Sequence, residues 1–282
     1  MTDAECVELL RWAVPRLRLR WPGFRRVRRQ VCRRVRRRLR ELGLEDAAAY
    51  RAHLEAHPGE WERLDAMCRI SISRLFRDRE VFAALATRVL PALAARARAE
   101  GRGTLRAWSA GCASGEEAYT VAACVAFEVA PRFPELAFEL IATDVDPHLL
   151  ERARLACYAP SSVKELPPAW QEALFERRGG ALAVRHAYRT AVTLRAQDLQ
   201  REAPDGSFDI VLCRNVAFTY FAAPVQREVL ARIAAHSRPG AALVLGRHER
   251  LPDGAPEFRL WPGAPSTFRF ESQPPSGTGV AS

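Results

Sequence analysis

The stretch TLRAWSAGCASGEEAYT, residues 104–120, runs from an apolar segment through a small-residue loop into the start of a helix. Leu105, Ala107 and Trp108 read as a short buried strand, and Ser109, Gly111, Ser114 and Gly115 leave room for a ligand to approach the backbone. Glu116 and Glu117 then open the helix. A strand, a small-residue loop and a helix N-terminus in that order build nucleotide pockets in open α/β sheets, with the ligand beyond the carboxyl end of the strand. Phosphate is a poor match here. Two carboxylates at the helix start repel an anion, and the loop has neither GxGxxG nor the lysine of a P-loop. S-adenosylmethionine carries a sulfonium, an ammonium and no phosphate, so it suits an acidic loop better than a dinucleotide does. The same stretch also reads as a plain strand-to-helix turn that binds nothing, and the loop by itself leaves both readings open.

Downstream, AFELIAT (137–143) predicts a second strand ending in Asp144. A carboxylate at that tip, about 20 to 30 residues past the first loop, is where a ribose diol is gripped. Asp146, just before Pro147, has the placing of a helix cap for 147–156. Residues 167–176 read as helical, and Ala181–Arg195 alternates like a pair of antiparallel strands inserted between crossover units. FDIVLC (208–213) and AALVLG (241–246) predict buried strands flanking a helix over 224–236, the second following a Pro239–Gly240 turn. Phe258–Trp261 and Thr267–Phe270 predict a closing hairpin, and residues 273–282 a disordered tail.

Upstream the composition changes. Residues 11–40 hold fourteen arginines and no acidic residue, so the net charge of +10 belongs to one segment and the remaining chain is net acidic. Phe24, Val27, Val31, Val35, Leu39 and Leu42 recur at helical spacing, giving an amphipathic helix over 24–42 that stops at Gly43 with an outer face of arginine. Such a face suits nucleic acid, an acidic membrane surface or an acidic protein helix. With short helices expected at 4–12, 46–57 and 60–69, it forms a small all-helical domain over residues 1–80, and residues 81–272 form the larger α/β domain. Seven scattered cysteines lack metal spacing and read as reduced thiols, mostly buried. No apolar run is long enough for a membrane span and the acidic start lacks a signal peptide's basic region, so a cytoplasmic protein without a metal site is expected.

ISRLFRD, WSAGCASGEEAYT, IATDVDPHLLERAR, FDIVLCRNVAFTYF and ALVLGRHERL, in that order, resemble the CheR family of chemotaxis receptor methyltransferases over about residues 24–272. The resemblance implies an N-terminal helical domain, then a Rossmann-like class I methyltransferase domain with a small antiparallel β insertion at about 178–197. It implies S-adenosylmethionine as methyl donor and a receptor glutamate as acceptor. By matching positions it implies donor contacts at Ser71, Ser73, Arg77, Gly111, Glu117, Asp144, Asp198, Leu199, Cys213 and Arg214, with Arg77 and Tyr220 nearest the transferred methyl. The sequence departs from the family pattern at Ser71 and Ser73, where Asn and Thr are usual, and at Asp198, where Asn is common. One extra residue separates Asn215 from Tyr220, and the β insertion is short.

A glutamate side chain has a pKa near 4.3 and is already a nucleophile at neutral pH, so methylating it needs orientation rather than a general base. The scarcity of acid–base candidates fits that chemistry. Arg77 suits pairing with an acceptor carboxylate, or an ion pair with Asp78 or Glu80; Tyr220 suits the transfer site, or a core beside Phe218 and Phe221. The leading expectation is a methyltransferase whose protein acceptor, a chemoreceptor helix, docks on the Arg-rich helix 24–42. The alternatives are another protein or small-molecule acceptor, and a non-catalytic S-adenosylmethionine-binding adaptor whose basic helix holds protein or nucleic acid.

Overall fold

The computed structural model describes residues 1–271, which divide into two units, Met1–Ile72 with Thr219–Arg227, and Ser73–Phe218 with residues 228–271. The division falls at Ile72 rather than near residue 80, because Leu75, Phe76, Val81 and Phe82 are buried in the core of the second unit. The tail expected over 273–282 lies outside the described residues.

The first unit is helical: α1 (Asp3–Ala13), α2 (Trp21–Phe24), α3 (Arg28–Leu42), α4 (Ala47–Ala56) and α5 (Pro58–Cys68). Thr2 and Glu5 close a capping box on α1, and the Asp46 side chain accepts the Ala49 amide to start α4. The single helix expected from Phe24 is instead two. The run RRVRR supplies no N-cap and sets like charge against the positive end of a helix dipole, so α3 begins only at Arg28, with Val27 non-helical before it. Its stripe of Val31, Val35 and Leu39 is buried, and α3 ends at Gly43 in the left-handed conformation. Arg38 donates to both oxygens of Glu60, at 2.9 and 2.7 Å, and holds that carboxyl below its usual range, while the Tyr50 hydroxyl donates to Glu60 at 2.9 Å.

Cys6 of α1 and Cys32 of α3 are joined in a disulfide, which corrects the expectation of reduced thiols throughout. Both are buried where the two helices pack, and a pairing across 26 residues leaves no local spacing to read. In the returning segment Leu19 bridges Phe221, Arg20 donates its amide to the Tyr220 carbonyl at 2.8 Å, and the Tyr220 ring lies 5.2 Å from that of Phe24.

In the second unit α6 (Arg79–Ala84), a π-helical stretch Leu85–Val89 and α7 (Leu90–Ala99) lead into β1 (Thr104–Ala110). Pro91 lacks an N–H and crowds the preceding turn, and the wider π register ends immediately before it, with the Leu90 amide bonded to the Leu85 carbonyl. There follow α8 (Glu116–Cys124), β2 (Ala137–Asp144), α9 (Pro147–Leu155), β3 (Cys157–Tyr158), α10 (Pro168–Leu174), β4 (Phe175–Arg178), β5 (Ala181–Val184), α11 (His186–Arg189), β6 (Val192–Ala196) and β7 (Phe208–Leu212). After α12 (Ala217–Tyr220) and α13 (Ala223–Ala235) come β8 (Ser237–Val244), β9 (Phe258–Leu260) and β10 (Thr267–Phe270).

The main sheet has the order β6-β2-β1-β7-β8-β10-β9, parallel through β8 and closed by the antiparallel β10 and β9. β2 and β7 lie on opposite sides of β1, so the strand order reverses at β1 and opens a crevice beyond its carboxyl end. Leu105, Ala107, Leu140, Ala142, Ile210, Leu212, Ala242 and Val244 supply the sheet's part of the core. Every residue of β7 is buried, as expected of a central strand covered on both faces.

Two expectations need correction. Val192–Ala196 is not part of the antiparallel insertion but the parallel edge strand beside β2. The separate antiparallel sheet is β3-β5-β4, beginning at Cys157 rather than near residue 178. Pro239 and Gly240 do not precede the eighth strand but lie within it, where the register with β7 shifts.

Candidate methyl-donor and transfer site

The loop between β1 and α8 folds back onto the end of β2. The amides of Gly111 and Cys112 both donate to the Thr143 carbonyl, at 2.8 and 2.9 Å, and the Ala113 amide donates to Asp144 Oδ2 at 2.8 Å. Gly111 has φ +80°, a conformation that favours glycine, and a Cβ there would press on the Val216 side chain at 3.1 Å. Asp144 Oδ1 accepts the Asp146 amide at 2.9 Å. Each oxygen of this carboxylate thus holds one backbone donor. Asp146 caps α9, accepting from His148 and Leu149.

Glu117, in the first turn of α8, accepts from the Ser109 hydroxyl at 2.7 Å and from Arg214 Nη1 at 3.1 Å. Burial pushes its carboxyl above the usual range, against the opposing pull of Arg214 and the Ser109 hydrogen bond. Arg214 follows β7 and is almost fully enclosed. Its Nη2 donates to the Arg77 carbonyl at 3.0 Å and to Asp78 at 2.8 Å, and its guanidinium stacks 4.6 Å from the Phe82 ring centre. Asp78 is therefore an ion-pair partner of Arg214.

Phe76 and Asp78, on either side of Arg77, have φ of +57° and +63°, a conformation that side chains other than glycine adopt at a cost. The surroundings hold it: the Phe76 amide donates to Thr120 Oγ1 at 3.0 Å, and Leu75 donates to the Ser162 carbonyl at 3.0 Å. Arg77 Nη2 donates to Asn215 Oδ1 at 3.3 Å.

Glu117, Arg214 and Arg77 are thus joined by hydrogen bonds, and the Gly111 loop is joined separately to the Thr143–Asp144 end of β2. Ser73 lies on the irregular segment before Leu75, while Ser71 and Tyr220 belong to the other unit. Asp198 follows β6 and accepts the Gln200 amide at 2.9 Å, Leu199 is buried, and the Leu199 carbonyl accepts from Arg232 at 3.0 Å. Cys213 is buried and donates its amide to the Val244 carbonyl at 3.0 Å; burial raises its thiol, as it does that of Cys112, so both stay protonated and serve as packing. Sequence reasoning read Ser109 only as a small loop residue and Asp78 only as a partner for Arg77, and it missed Thr120, Asn215 and Glu249. Asn215 sits in the quoted CRNV motif, and the structure distinguishes it by its φ of +58° and its contact with Arg77. Among the described residues no cluster of three or more His, Cys, Asp or Glu is arranged to hold a metal.

Residues 71–265 match the family described as CheR methyltransferase, SAM binding domain, and residues 27–65 match the CheR methyltransferase all-alpha domain. The chain belongs to the CheR methyltransferase family. It is 31% identical over 199 residues to a chemotaxis protein methyltransferase of Listeria monocytogenes, covering 71% of this chain and 72% of that protein. It is 32% identical over 244 residues to the chemotaxis protein methyltransferase of Salmonella typhimurium, covering 83% and 80%. An uncharacterized 104.1 kDa protein of Rhodobacter capsulatus is 35% identical over 247 residues, and this chain spans only 25% of its length. This CheR-family chain is an S-adenosylmethionine-dependent methyltransferase with an all-helical domain ahead of the donor-binding domain. Glu117 and Asp144, two carboxylates around a small-residue loop, fit a donor that bears an ammonium and a ribose and no phosphate.

Proposed function

We propose that this chain transfers the methyl of S-adenosylmethionine to glutamate side-chain carboxylates of a chemoreceptor or a related helical signalling protein in the cytoplasm. The observation that carries this reading is that relatives matched over more than two thirds of their own length, in L. monocytogenes and S. typhimurium, are chemotaxis protein methyltransferases. Glu117 receives the donor ammonium and Asp144 the ribose hydroxyls. Ser73, Gly111, Asp198, Leu199, Cys213 and Arg214 complete the donor site, and Arg77 faces the acceptor.

The bound donor supplies an activated methyl on a sulfonium. With Glu117 and Asp144 holding the donor, that methyl would pass to a carboxylate oxygen as the carbon–sulfur bond gave its electron pair to sulfur, and no proton would need to move. The protein's task is alignment, which supplies on the order of 7–11 kcal/mol when the reacting atoms are held about 3 Å apart. The Arg77 guanidinium orients the incoming carboxylate. Because the carboxylate loses its charge on methylation, too tight a pairing would stabilise the ground state more than the transition state.

The acceptor docks on the outward arginines of α3. Arg29, Arg33, Arg37 and Arg40 are exposed, whereas Arg34 donates to the Met67 and Arg69 carbonyls, Arg36 pairs with Asp3 and Arg38 with Glu60. Gln30, Arg33, Arg34, Arg37 and Arg40 line a hollow of about 400 Å³ that suits the carboxylates of an acidic helix.

Incubating the protein with labelled donor and host lysate tests the reading. A base-labile methylated protein, lost with Arg77→Ala while donor binding persists, is expected; labelling only of small molecules, or base-stable labelling, overturns it.

A further inference from the structure

Beyond β7 the chain turns sharply through Arg214 and Asn215. Asn215 takes a left-handed conformation, φ +58°, which asparagine tolerates better than most residues but does not hold unaided. The loop after β8 holds it. Glu249 Oε2 accepts the Asn215 amide at 2.7 Å, and the same oxygen accepts the Gly246 amide at 2.8 Å. One carboxylate oxygen therefore ties together the two loops that follow β7 and β8. The fit is close: a Cβ at Gly246 would lie 2.9 Å from Asn215 Cγ, Nδ2 and Oδ1, so that position must be glycine for the asparagine side chain to stay where it is.

With its backbone fixed, Asn215 turns its amide oxygen to Arg77 Nη2 at 3.3 Å. The preceding residue, Arg214, holds the other end of Arg77 by donating to its carbonyl at 3.0 Å. Two consecutive residues of one turn thus grip the backbone and the guanidinium of the same arginine. An amide oxygen is a neutral acceptor, so this hydrogen bond directs the guanidinium and adds no negative charge beside it.

We infer that Asn215 is a positioning residue for Arg77 in methyl transfer, and that Glu249 enables it by locking the Asn215 turn. The inference rests on the proposed role of Arg77 toward the acceptor, and it assigns no contact with the reacting atoms to either residue. Small misplacements of an orienting group cost rate rather than donor affinity, because the donor is held by other contacts.

The experiment uses the full chain with Asn215→Gly, which keeps a positive φ but removes the amide, and with Glu249→Ala and Glu249→Gln. Arginine Nε–H spin relaxation, read without any substrate, should show the Arg77 side chain less ordered in Asn215→Gly and Glu249→Ala and restored in Glu249→Gln, whose amide oxygen still accepts. Amide hydrogen exchange at Asn215 and Gly246 should speed up in Glu249→Ala alone. With the acceptor identified by lysate labelling, Asn215→Gly should lower kcat on the order of tenfold to a hundredfold with little change in donor Kd. The double variant Arg77→Ala/Asn215→Gly should be no slower than Arg77→Ala, since the second loss acts through the first. An unchanged Arg77 order parameter in Asn215→Gly, or multiplicative losses in the double variant, overturns the inference. Should Glu249→Ala fail to fold, Glu249→Gln and Asn215→Gly still decide it. Absence of carboxyl methylation by the wild type would count against the proposed acceptor class, and the relaxation result would still decide whether Asn215 positions Arg77.

Discussion

Arg214 Nη1 donates to Glu117 Oε2 at 3.1 Å, and burial nevertheless keeps the Glu117 carboxyl above its ordinary range. A raised carboxyl pKa means that on acidification this group takes up its proton earlier than an exposed glutamate would. Ionising it as pH rises costs the fold stability, and a bound ammonium offsets that cost. Donor binding should therefore release protons and tighten with rising pH through the region above about 4.5, the ordinary glutamate range, while the donor's own amino group stays charged. Calorimetry in buffers of different ionisation enthalpy measures the proton count. Glu117→Gln should abolish the dependence, and a binding curve flat across that region in the wild type would remove Glu117 as the ammonium partner.

Asp144 holds the Ala113 and Asp146 amides at 2.8 and 2.9 Å, so it shapes the loop as well as taking the proposed ribose contact. Asp144→Ala should weaken donor binding by roughly 1.5–3 kcal/mol, the scale of hydrogen bonds to a charged group. Asp144→Asn retains one amide acceptor and should lose less. Equal donor affinity in wild type and Asp144→Ala would move the ribose site elsewhere.

The central sheet was legible because its strands are continuous apolar runs at regular intervals, and Asp144 because it ends one of them. The edge strand Val192–Ala196 was not. Covered on one face only, it alternates like the strands of an antiparallel insertion, and periodicity does not distinguish the two. The supporting residues of the site were also hidden. Asp78 meets Arg214 across 136 residues and Glu249 meets Asn215 across 34, and no spacing rule reaches that far. On α3 the sequence showed one arginine face where the structure has two populations, because Arg34, Arg36 and Arg38 find partners on other elements.

The Cys6–Cys32 disulfide closes a long loop between α1 and α3 in the unit that carries the Arg face. Constraining the unfolded chain over that separation is worth roughly 3–4 kcal/mol, so reduction, or Cys6→Ser with Cys32→Ser, should lower the melting temperature of the N-terminal unit. Alkylation under denaturing conditions without reductant, read by mass spectrometry, should label Cys68, Cys112, Cys124, Cys157 and Cys213 and leave the pair unlabelled. Labelling of all seven in protein purified without reductant would show that the two thiols are not joined in solution.

Arg29, Arg33 and Arg37 rise along one exposed face of α3, where Arg37 pairs with Glu41 at 3.7 Å. That pair is exposed and contributes little, so reversing all three arginines to glutamate should leave the fold largely intact. If the face docks an acidic acceptor helix, the triple reversal should raise KM for the protein acceptor and leave donor Kd unchanged. Wild-type acceptor binding should weaken with salt, because exposed charges are screened beyond about 8–10 Å at physiological ionic strength. Nucleic-acid binding would give another pattern, with affinity for any duplex or single strand falling steeply with salt in proportion to the phosphates neutralised. The described face of α3 carries no aromatic side chain among these arginines on which bases would stack, which favours the protein helix. Acceptor KM measured against salt for both proteins decides between them. Unchanged KM in the reversed variant, with tight nucleic-acid binding lost from it at about 150 mM salt, would assign the face to nucleic acid instead.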